Sequence, residues 1–265
     1  MKISVTYRNY DGESYTRWID EVVAAGIRYM EIATSALPEQ RERQDEITRY
    51  ALDRGMELSL HAPFGVNNIS STDIERRTSS INNTKMAIDL AERHGLRVVT
   101  FHPGRLSFEG QDIDENRALL TEVLADIADY AKQRRVFVGL ENMEDRPFEY
   151  IRTVKDLNRF AHLSKDNPYF GVTVDFGHYA TLKEGLAPIG SLRLPLYDVH
   201  LSRFDGARAH RPFSEEDRDE LCEIVRALKG YGYDGFLVLE IVGDVFLSVD
   251  ILRGVLSKVD TEAAL

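Results

Sequence analysis

Eight short apolar runs alternate with longer amphipathic segments along almost the whole chain, and this alternation limits the possible folds more than any other feature. The runs are rich in Val, Ile, Leu and Phe and are almost continuously apolar, which is typical of strands buried on both faces. They span residues 3–7, 29–34, 58–63, 98–104, 136–142, 170–177, 197–203 and 236–241. Strands of this kind belong to a parallel sheet whose faces are covered by helices.

The segments between the runs have the period of amphipathic helices. The clearest of them begins after Asp73, a favoured N-cap residue, and ends before Gly95, which suits the left-handed conformation that follows a helix. The predicted helices span residues 16–25, 38–54, 73–94, 114–134, 148–164, 179–186, 214–229 and 245–258.

Eight consecutive β/α units in 265 residues predict an α/β fold, a single (β/α)8 TIM barrel. A doubly wound open sheet is the alternative. That fold would favour a glycine-rich phosphate loop after an early strand, and the sequence has neither a G-x-G-x-x-G nor a Walker A motif. We assign residues 1–259 to the barrel and residues 260–265 to a C-terminal tail.

Composition excludes several classes of function. The 33 basic and 44 acidic residues give a formal net charge of −11, which disfavours a broad nucleic-acid-binding surface. No apolar run approaches the length of about 18 residues that spans a bilayer, so we expect no membrane segment. The single cysteine, Cys222, cannot form an internal disulfide, and we expect a reducing, cytoplasmic environment. The sequence leaves a homo-oligomer open.

Polar residues interrupt six of the apolar runs close to their ends, where a barrel carries its active site. These residues are His61, His102, Glu141, Asp175, His200 and Glu240. His178 and His210 follow in the loops after the sixth and seventh runs. The eight side chains are therefore expected to converge at one end of the barrel.

A divalent metal ion explains this set of residues better than core packing does. One histidine at a strand end is most often a hydrogen-bonded core residue, but a cluster of buried carboxylates needs a compensating charge. Imidazole and carboxylate ligands suit Zn, Mn, Co or Fe. Glu141, Asp175, His200 and Glu240 could hold one octahedral ion. The remaining histidines would then contact ligands or substrate, or would hold a second ion.

The same residues lie in short motifs that follow one another in a recognisable order. The motifs are LHAPF (60–64), FHPG (101–104), LENM (140–143), VDFGH (174–178), DVHLSRFDG (198–206), AHRP (209–212) and LEI (239–241). As an ordered set they resemble the xylose-isomerase-like TIM-barrel superfamily. That superfamily includes sugar isomerases and epimerases as well as endonuclease IV-type AP endonucleases.

Resemblance to the isomerases and epimerases implies one Mn, Co or Mg ion bound by Glu141, Asp175, His200 and Glu240. Glu141 and Glu240 would also be the acid–base pair, transferring a proton through a metal-stabilised enediolate, and His178 would touch a substrate oxygen. The implied activity is that of an isomerase or epimerase of a sugar, sugar phosphate or cyclitol.

Resemblance to the endonucleases implies a larger metal site that binds up to three zinc ions, and for two or more bound ions we expect Zn or Fe. Eight residues look like eight of that group's nine ligands: His61, His102, Glu141, Asp175, His178, His200, His210 and Glu240. The ninth is an aspartate two residues before the loop histidine, and here that position is Arg208. An arginine cannot ligate a cation but can bind a phosphate or a polyhydroxy compound. The alternative function is therefore a metal-dependent phosphodiester hydrolase that acts on a small substrate.

Four further residues are predicted to contact a small polyhydroxy or phosphorylated substrate. Arg203 ends the seventh run, and Arg208 lies in the loop after it. Asn142 follows Glu141 directly, and Glu31 interrupts the second run.

Overall fold

Eight parallel strands close into a barrel in the order of the chain, and β1 pairs with both β2 and β8. The structure is a computed structural model, and it describes residues 1–7 and 14–263. The closed sheet with its surrounding helices confirms the predicted single (β/α)8 TIM barrel. Across the described residues, no helix combines the length and the apolar character needed to span a bilayer.

All eight apolar runs form strands. Their bounds are β1 Lys2–Tyr7, β2 Tyr29–Ala33, β3 Glu57–His61, β4 Val98–Phe101, β5 Phe137–Glu141, β6 Phe170–Asp175, β7 Leu196–Leu201 and β8 Phe236–Leu239. Several strands end earlier than the apolar runs do. After β4, for example, the segment 102–104 leaves the sheet, so that His102 lies just above the end of its strand.

The helices follow the strands in alternation, as predicted. Their bounds are α1 Tyr15–Ala24, α2 Arg41–Leu52, α3 Ile74–His94, α4 Ile113–Arg134, α5 Val154–Leu157, α6 Leu182–Leu186, α7 Arg218–Tyr231 and α8 Val245–Ala263. The largest difference concerns the segment 148–164, predicted as one helix. The capping box of Thr153 and Asp156 starts α5 late, and a 3-10 helix, Asn158–Ser164, continues it.

The last helix runs past the predicted end of the barrel. Residues 260–263, expected to belong to a tail, continue α8, and residues 264–265 lie outside the described part. Asp260 forms an ion pair with Lys229, and Glu262 accepts a hydrogen bond of 2.7 Å from Arg226. Because both basic partners lie on α7, these contacts hold the end of α8 against its neighbour.

The barrel interior is polar, whereas the layer between strands and helices is apolar. Large side chains such as Phe101, Phe160 and Phe170 are fully buried in the apolar core. Across the interior, Thr100 on β4 and Thr173 on β6 place their hydroxyl oxygens 2.8 Å apart. These two strands are not neighbours, so the contact crosses the inside of the barrel.

Replacing Asp73 by Ala should destabilise the protein by about 1 kcal/mol, because the Asp73 carboxylate caps α3. It accepts hydrogen bonds from the backbone amides of Glu75 (2.9 Å) and Arg76 (3.1 Å). For a chain of this size we expect the melting temperature to fall by about 2–4 °C. Asp53→Ala, which changes an aspartate at the end of α2, is the control. Equal melting temperatures of the two variants would contradict the capping role.

Candidate active site

Four strands bring their ends together around one point at the barrel mouth. His61 is the last residue of β3, Glu141 is the last residue of β5, and His200 lies one residue before the end of β7. Glu240 follows β8 directly. All four side chains are buried, and their ligand atoms lie within 4.8 Å of one another. The alternation of strands and helices creates this cluster, because parallel strands in a barrel all end on the same face.

The Nδ1 atom of His200 faces three carboxylates. It lies 3.0 Å from Glu240 Oε2, 3.1 Å from Glu141 Oε1 and 4.0 Å from Asp175 Oδ2. Burial alone would lower the pKa of His200, but the charges of Glu31 and Glu141 outweigh it and hold that pKa well above its usual range. In the metal-free protein, an imidazolium at His200 therefore offsets part of the carboxylate charge.

The second carboxylate oxygen of Glu141, Oε2, contacts two further imidazoles. Its Oε2 lies 3.1 Å from His61 Nε2 and 3.0 Å from His102 Nε2. Burial alone would raise the pKa of Glu141, but His200 and His102 hold it well below its usual range. For His102 itself, burial is the largest influence and lowers the pKa. Glu141 is thus an ionised carboxylate that bridges imidazoles from three different strands.

Backbone carbonyls hold the Nδ1 atoms of His61, His178 and His210, the last at 3.1 Å from the Glu240 oxygen. The first two of these histidines also face carboxylates. His61 Nδ1 lies 2.8 Å from the Ala62 oxygen, and His178 Nδ1 lies 2.7 Å from the Asn142 oxygen. A carbonyl can only accept, so Nδ1 carries the proton, and the Nε2 of the neutral ring is then a bare lone pair. Both Nε2 atoms face carboxylates, Glu141 at 3.1 Å and Asp175 at 3.3 Å. A cation between lone pair and carboxylate would make this arrangement favourable.

The donor set fits a divalent metal ion. Within the described part of the chain, Glu141 Oε1 and Asp175 Oδ2 are buried oxygens without a hydrogen-bond partner. Each oxygen does lie within ion-pair distance of an imidazole nitrogen, 3.1 Å for Glu141 Oε1 and 3.3 Å for Asp175 Oδ2. Both oxygens also lie on the side where His200 Nδ1 and Glu240 converge, and a divalent cation there would compensate the remaining carboxylate charge. One imidazole and three carboxylates suit Mn, Mg, Co or Zn.

A second donor group lies beside the first, and one of its members was missed from the sequence. Glu144, His178 and His210 place their ligand atoms within 4.8 Å of one another, with 4.0 Å between His210 Nε2 and Glu144 Oε1. Glu144 lies three residues after Glu141, and that proximity was the only signal for it. Glu144 places a carboxylate beside the two histidines. Arg208, the residue that stands in place of the ninth endonuclease ligand, is exposed on the loop after β7.

The other predicted substrate contacts lie at different depths. Asn142 is buried and joins the ends of β5 and β6, because its side chain donates to the Asp175 oxygen at 3.0 Å and accepts from the Asp175 amide at 2.9 Å. Arg203 is partly buried and pairs through its backbone with Arg211. Glu31 is completely buried and lies 3.1 Å from His200 Nε2.

Glu149 is a further titratable group near the barrel mouth. We expect loss of the proton from its carboxyl group to make the folded protein less stable as the pH rises. Burial raises its pKa to about 7. A carboxyl with a raised folded-state pKa favours folding below its unfolded pKa, and this contribution is lost as the pH rises through the folded value. The free energy of unfolding of Glu149→Gln, relative to that of the wild type, should therefore increase by about 1–3 kcal/mol between pH 5 and pH 8, allowing for partial exposure of the side chain. Urea unfolding at both pH values measures the difference, and a constant difference would contradict it.

A sequence model of the xylose isomerase-like TIM barrel matches residues 19–256 of the chain. Among curated proteins, an uncharacterized protein of Methanocaldococcus jannaschii, MJ1311, is 25% identical over 262 residues. That alignment covers 92% of this chain and 82% of the relative.

Solved structures share the fold over nearly the whole chain. The crystal structure of a D-tagatose 3-epimerase-like protein superimposes with a TM-score of 0.85 at 23% identity, covering 99% of this chain and 100% of the other. The D-psicose 3-epimerase of Clostridium cellulolyticum H10, solved with D-tagatose, gives a TM-score of 0.73 at 18% identity, covering 98% and 99%. At sequence identities of 23% and 18%, this structural similarity shows a shared fold and nothing more.

Proposed function

Because the chain belongs to the xylose isomerase-like TIM-barrel family, we propose that it is a divalent-metal-dependent isomerase or epimerase of a sugar, a sugar phosphate or a cyclitol. The observation that carries the proposal is the pair Glu141 and Glu240. Both carboxylates lie within 3.1 Å of the same nitrogen, His200 Nδ1, with Asp175 beside them. The names of the structural neighbours, which refer to 3-epimerases, support a sugar as substrate.

In the proposed reaction, the ion would be held by Glu141, Asp175, His200 and Glu240. The bound metal would act as a Lewis acid and make the carbon next to a carbonyl group more acidic. Glu141 and Glu240 then divide the proton transfer, since one carboxylate removes the proton from this carbon and the other carboxyl returns one. An epimerase needs the two groups on opposite faces of the substrate carbon. An isomerase moves the proton between neighbouring carbons.

Residues around this pair would bind the substrate. The Nε2 atom of His178 faces Asp175, and we assign the ring to a substrate oxygen or to a second ion. Asn142 fixes the backbone of Asp175 and so holds a proposed ligand in place. Arg203 and Arg208 are the proposed contacts for outer hydroxyl groups or for a phosphate.

Exchange of substrate hydrogen with solvent tests the proposal whichever epimer or isomer is formed. The protein, loaded with Mn, Co or Mg, is incubated in D₂O with ketohexoses, their phosphates and keto-cyclitols, and NMR follows the hydrogen next to the carbonyl group. We expect deuterium to enter at that carbon and an epimer or isomer to accumulate. Absence of exchange with every substrate and every ion would overturn the proposal.

A second candidate function is a metal-dependent phosphodiester hydrolase for a small substrate. The group of Glu144, His178 and His210 favours it, because a second ion there could hold a phosphate while the first activates water. Metal analysis of protein purified without a metal-affinity tag separates the two candidates. One Mn, Co or Mg per chain supports the isomerase or epimerase. Two or more Zn or Fe, with hydrolysis of bis(p-nitrophenyl) phosphate, would favour the hydrolase.

A further inference from the structure

Glu31 reaches His200 from the opposite side of the barrel. It lies on β2 and His200 lies on β7, yet Glu31 Oε2 is 3.1 Å from His200 Nε2, and both side chains are completely buried. We propose that Glu31 is a positioning residue that accepts the Nε2–H of His200 and thereby commits Nδ1 to the metal ion. This role rests on the proposed function, in which His200 is a metal ligand.

The two nitrogens of His200 have different surroundings. Nδ1 faces Glu240 at 3.0 Å and Glu141 at 3.1 Å, the two residues that share the proposed metal with it. Nε2 faces Glu31. A neutral imidazole carries its proton on one nitrogen and offers a lone pair from the other. Carboxylates face both nitrogens, so the ring alone does not decide which one keeps the proton. With an ion among Nδ1, Glu141 and Glu240, the lone pair is needed on Nδ1, and Glu31, which as an ionised carboxylate can only accept, holds the remaining proton on Nε2.

The depth of Glu31 in the barrel separates this role from substrate binding. On β2, Ala33 pairs with His61, a residue of the site at the mouth, and Glu31 pairs with Ser59 two residues earlier. Glu31 therefore lies one layer of side chains below the mouth. Its exposed fraction is zero. A substrate that reached Glu141 and Glu240 would find His200 between itself and Glu31.

The contacts of the Glu31 carboxylate agree with this role. One oxygen of Glu31 faces His200, while the other is buried without a hydrogen-bond partner in the described part of the chain. His200 is thus the hydrogen-bond partner of this carboxylate among the described residues, as the positioning role requires.

Asp198 provides a matched control at the same depth. It is completely buried and lies two residues before His200 on β7, and Asp198, Glu31 and His200 place their polar atoms within 4.8 Å of one another. Its Oδ1 accepts a hydrogen bond of 3.0 Å from the Val199 amide. Among the contacts of the described residues, it makes no hydrogen bond with the His200 ring. Asp198→Asn therefore changes a neighbouring carboxyl and leaves the Glu31–His200 contact in place.

The test measures zinc affinity and the protonation of His200 rather than turnover. A Zn²⁺ competition titration against a chromogenic chelator gives the dissociation constant of the wild type, Glu31→Gln and Asp198→Asn. A glutamine amide can donate to Nε2 as well as accept from it, so it no longer selects one form of the ring. Loss of an outer hydrogen-bond partner typically weakens metal binding by about 10–100-fold, which we expect for Glu31→Gln. For Asp198→Asn we expect a change below about threefold, because the outer partner of His200 is retained.

Nitrogen-15 NMR of histidine-labelled, zinc-loaded protein reports directly which nitrogen of the His200 ring carries the proton. In the wild type we expect His200 to carry its proton on Nε2, and in Glu31→Gln we expect this signal to weaken or move. Circular dichroism establishes that both variants are folded. If zinc affinity and the His200 signals of Glu31→Gln equal those of the wild type, the positioning role is overturned and the proposed function stands. If the wild type itself binds no divalent ion, the metal-dependent function fails, and the role of Glu31 fails with it.

Discussion

Glu240→Gln should lower the rate of solvent hydrogen exchange into a sugar substrate by about 10²–10⁴-fold, the usual contribution of a positioned general acid or base. The glutamine keeps the shape of the side chain but can neither take up nor release a proton. It also removes one of the three carboxylates that face His200 Nδ1. Glu240 is 5% exposed, whereas Glu141 is completely buried, so Glu240 is the member of the pair that is more open to the barrel mouth.

The measurement is kcat for deuterium incorporation in metal-saturated protein, with thermal unfolding as the test of folding. Glu42→Gln is the control, because Glu42 is an exposed glutamate in the first turn of α2 and belongs to neither donor group of the site. We expect this variant to keep the wild-type rate. Unchanged exchange in Glu240→Gln would remove Glu240 from the proton transfer and, with it, the observation that carries the proposed function.

Removal of divalent metal should abolish the exchange activity and lower the melting temperature. At a free metal concentration of about 100 times the dissociation constant, binding to the folded state adds about 2.7 kcal/mol. For a chain of this size, that corresponds to a melting temperature about 5–10 °C higher in the loaded protein. The measurement is a pair of thermal scans with chelator and with Mn, Co, Mg or Zn, together with recovery of activity when each ion is returned.

The loss of stability on chelation should grow with pH. In the metal-free protein the raised pKa of His200 keeps an imidazolium among the carboxylates. Such a group stabilises the folded state fully below its unfolded pKa of about 6.5, and this contribution is lost as the pH rises through its folded pKa. Protons also compete less with the metal at high pH, which acts in the same direction. Equal melting temperatures with chelator and with metal at every pH would contradict a bound ion.

Local patterns were enough to predict the strands and the residues at their ends. Short, doubly buried strands have a recognisable composition, and a polar residue such as Glu141 or Asp175 stands out at the end of an apolar run. The helix predicted for 148–164 was too long, because the capping box at Thr153 sets its start and the chain continues as a 3-10 helix.

Contacts across the barrel could not be predicted in the same way. Glu31 stands out in an apolar strand as a polar residue that points inward, but its contact with His200 joins two strands that are far apart in the chain. Glu144 lies in a charged loop segment that resembles ordinary surface, and only the folded chain brings it to His178 and His210. In both cases the type of residue is visible in the sequence, whereas the pairing depends on closure of the barrel.

Closure of the barrel also brings together residues from two halves of the chain, and the two halves have different proposed roles at the site. The four proposed ligands, Glu141, Asp175, His200 and Glu240, all lie in or directly after β5 to β8. Two of these ligands are contacted by side chains from the first half of the chain. Glu31 contacts His200, and His61 and His102 contact Glu141; these three residues lie in or directly after β2 to β4. In the proposed site, the second half would supply the groups that bind the ion, and the first half would align two of them, Glu141 and His200. A change in the first half can therefore alter metal affinity without altering a single ligand.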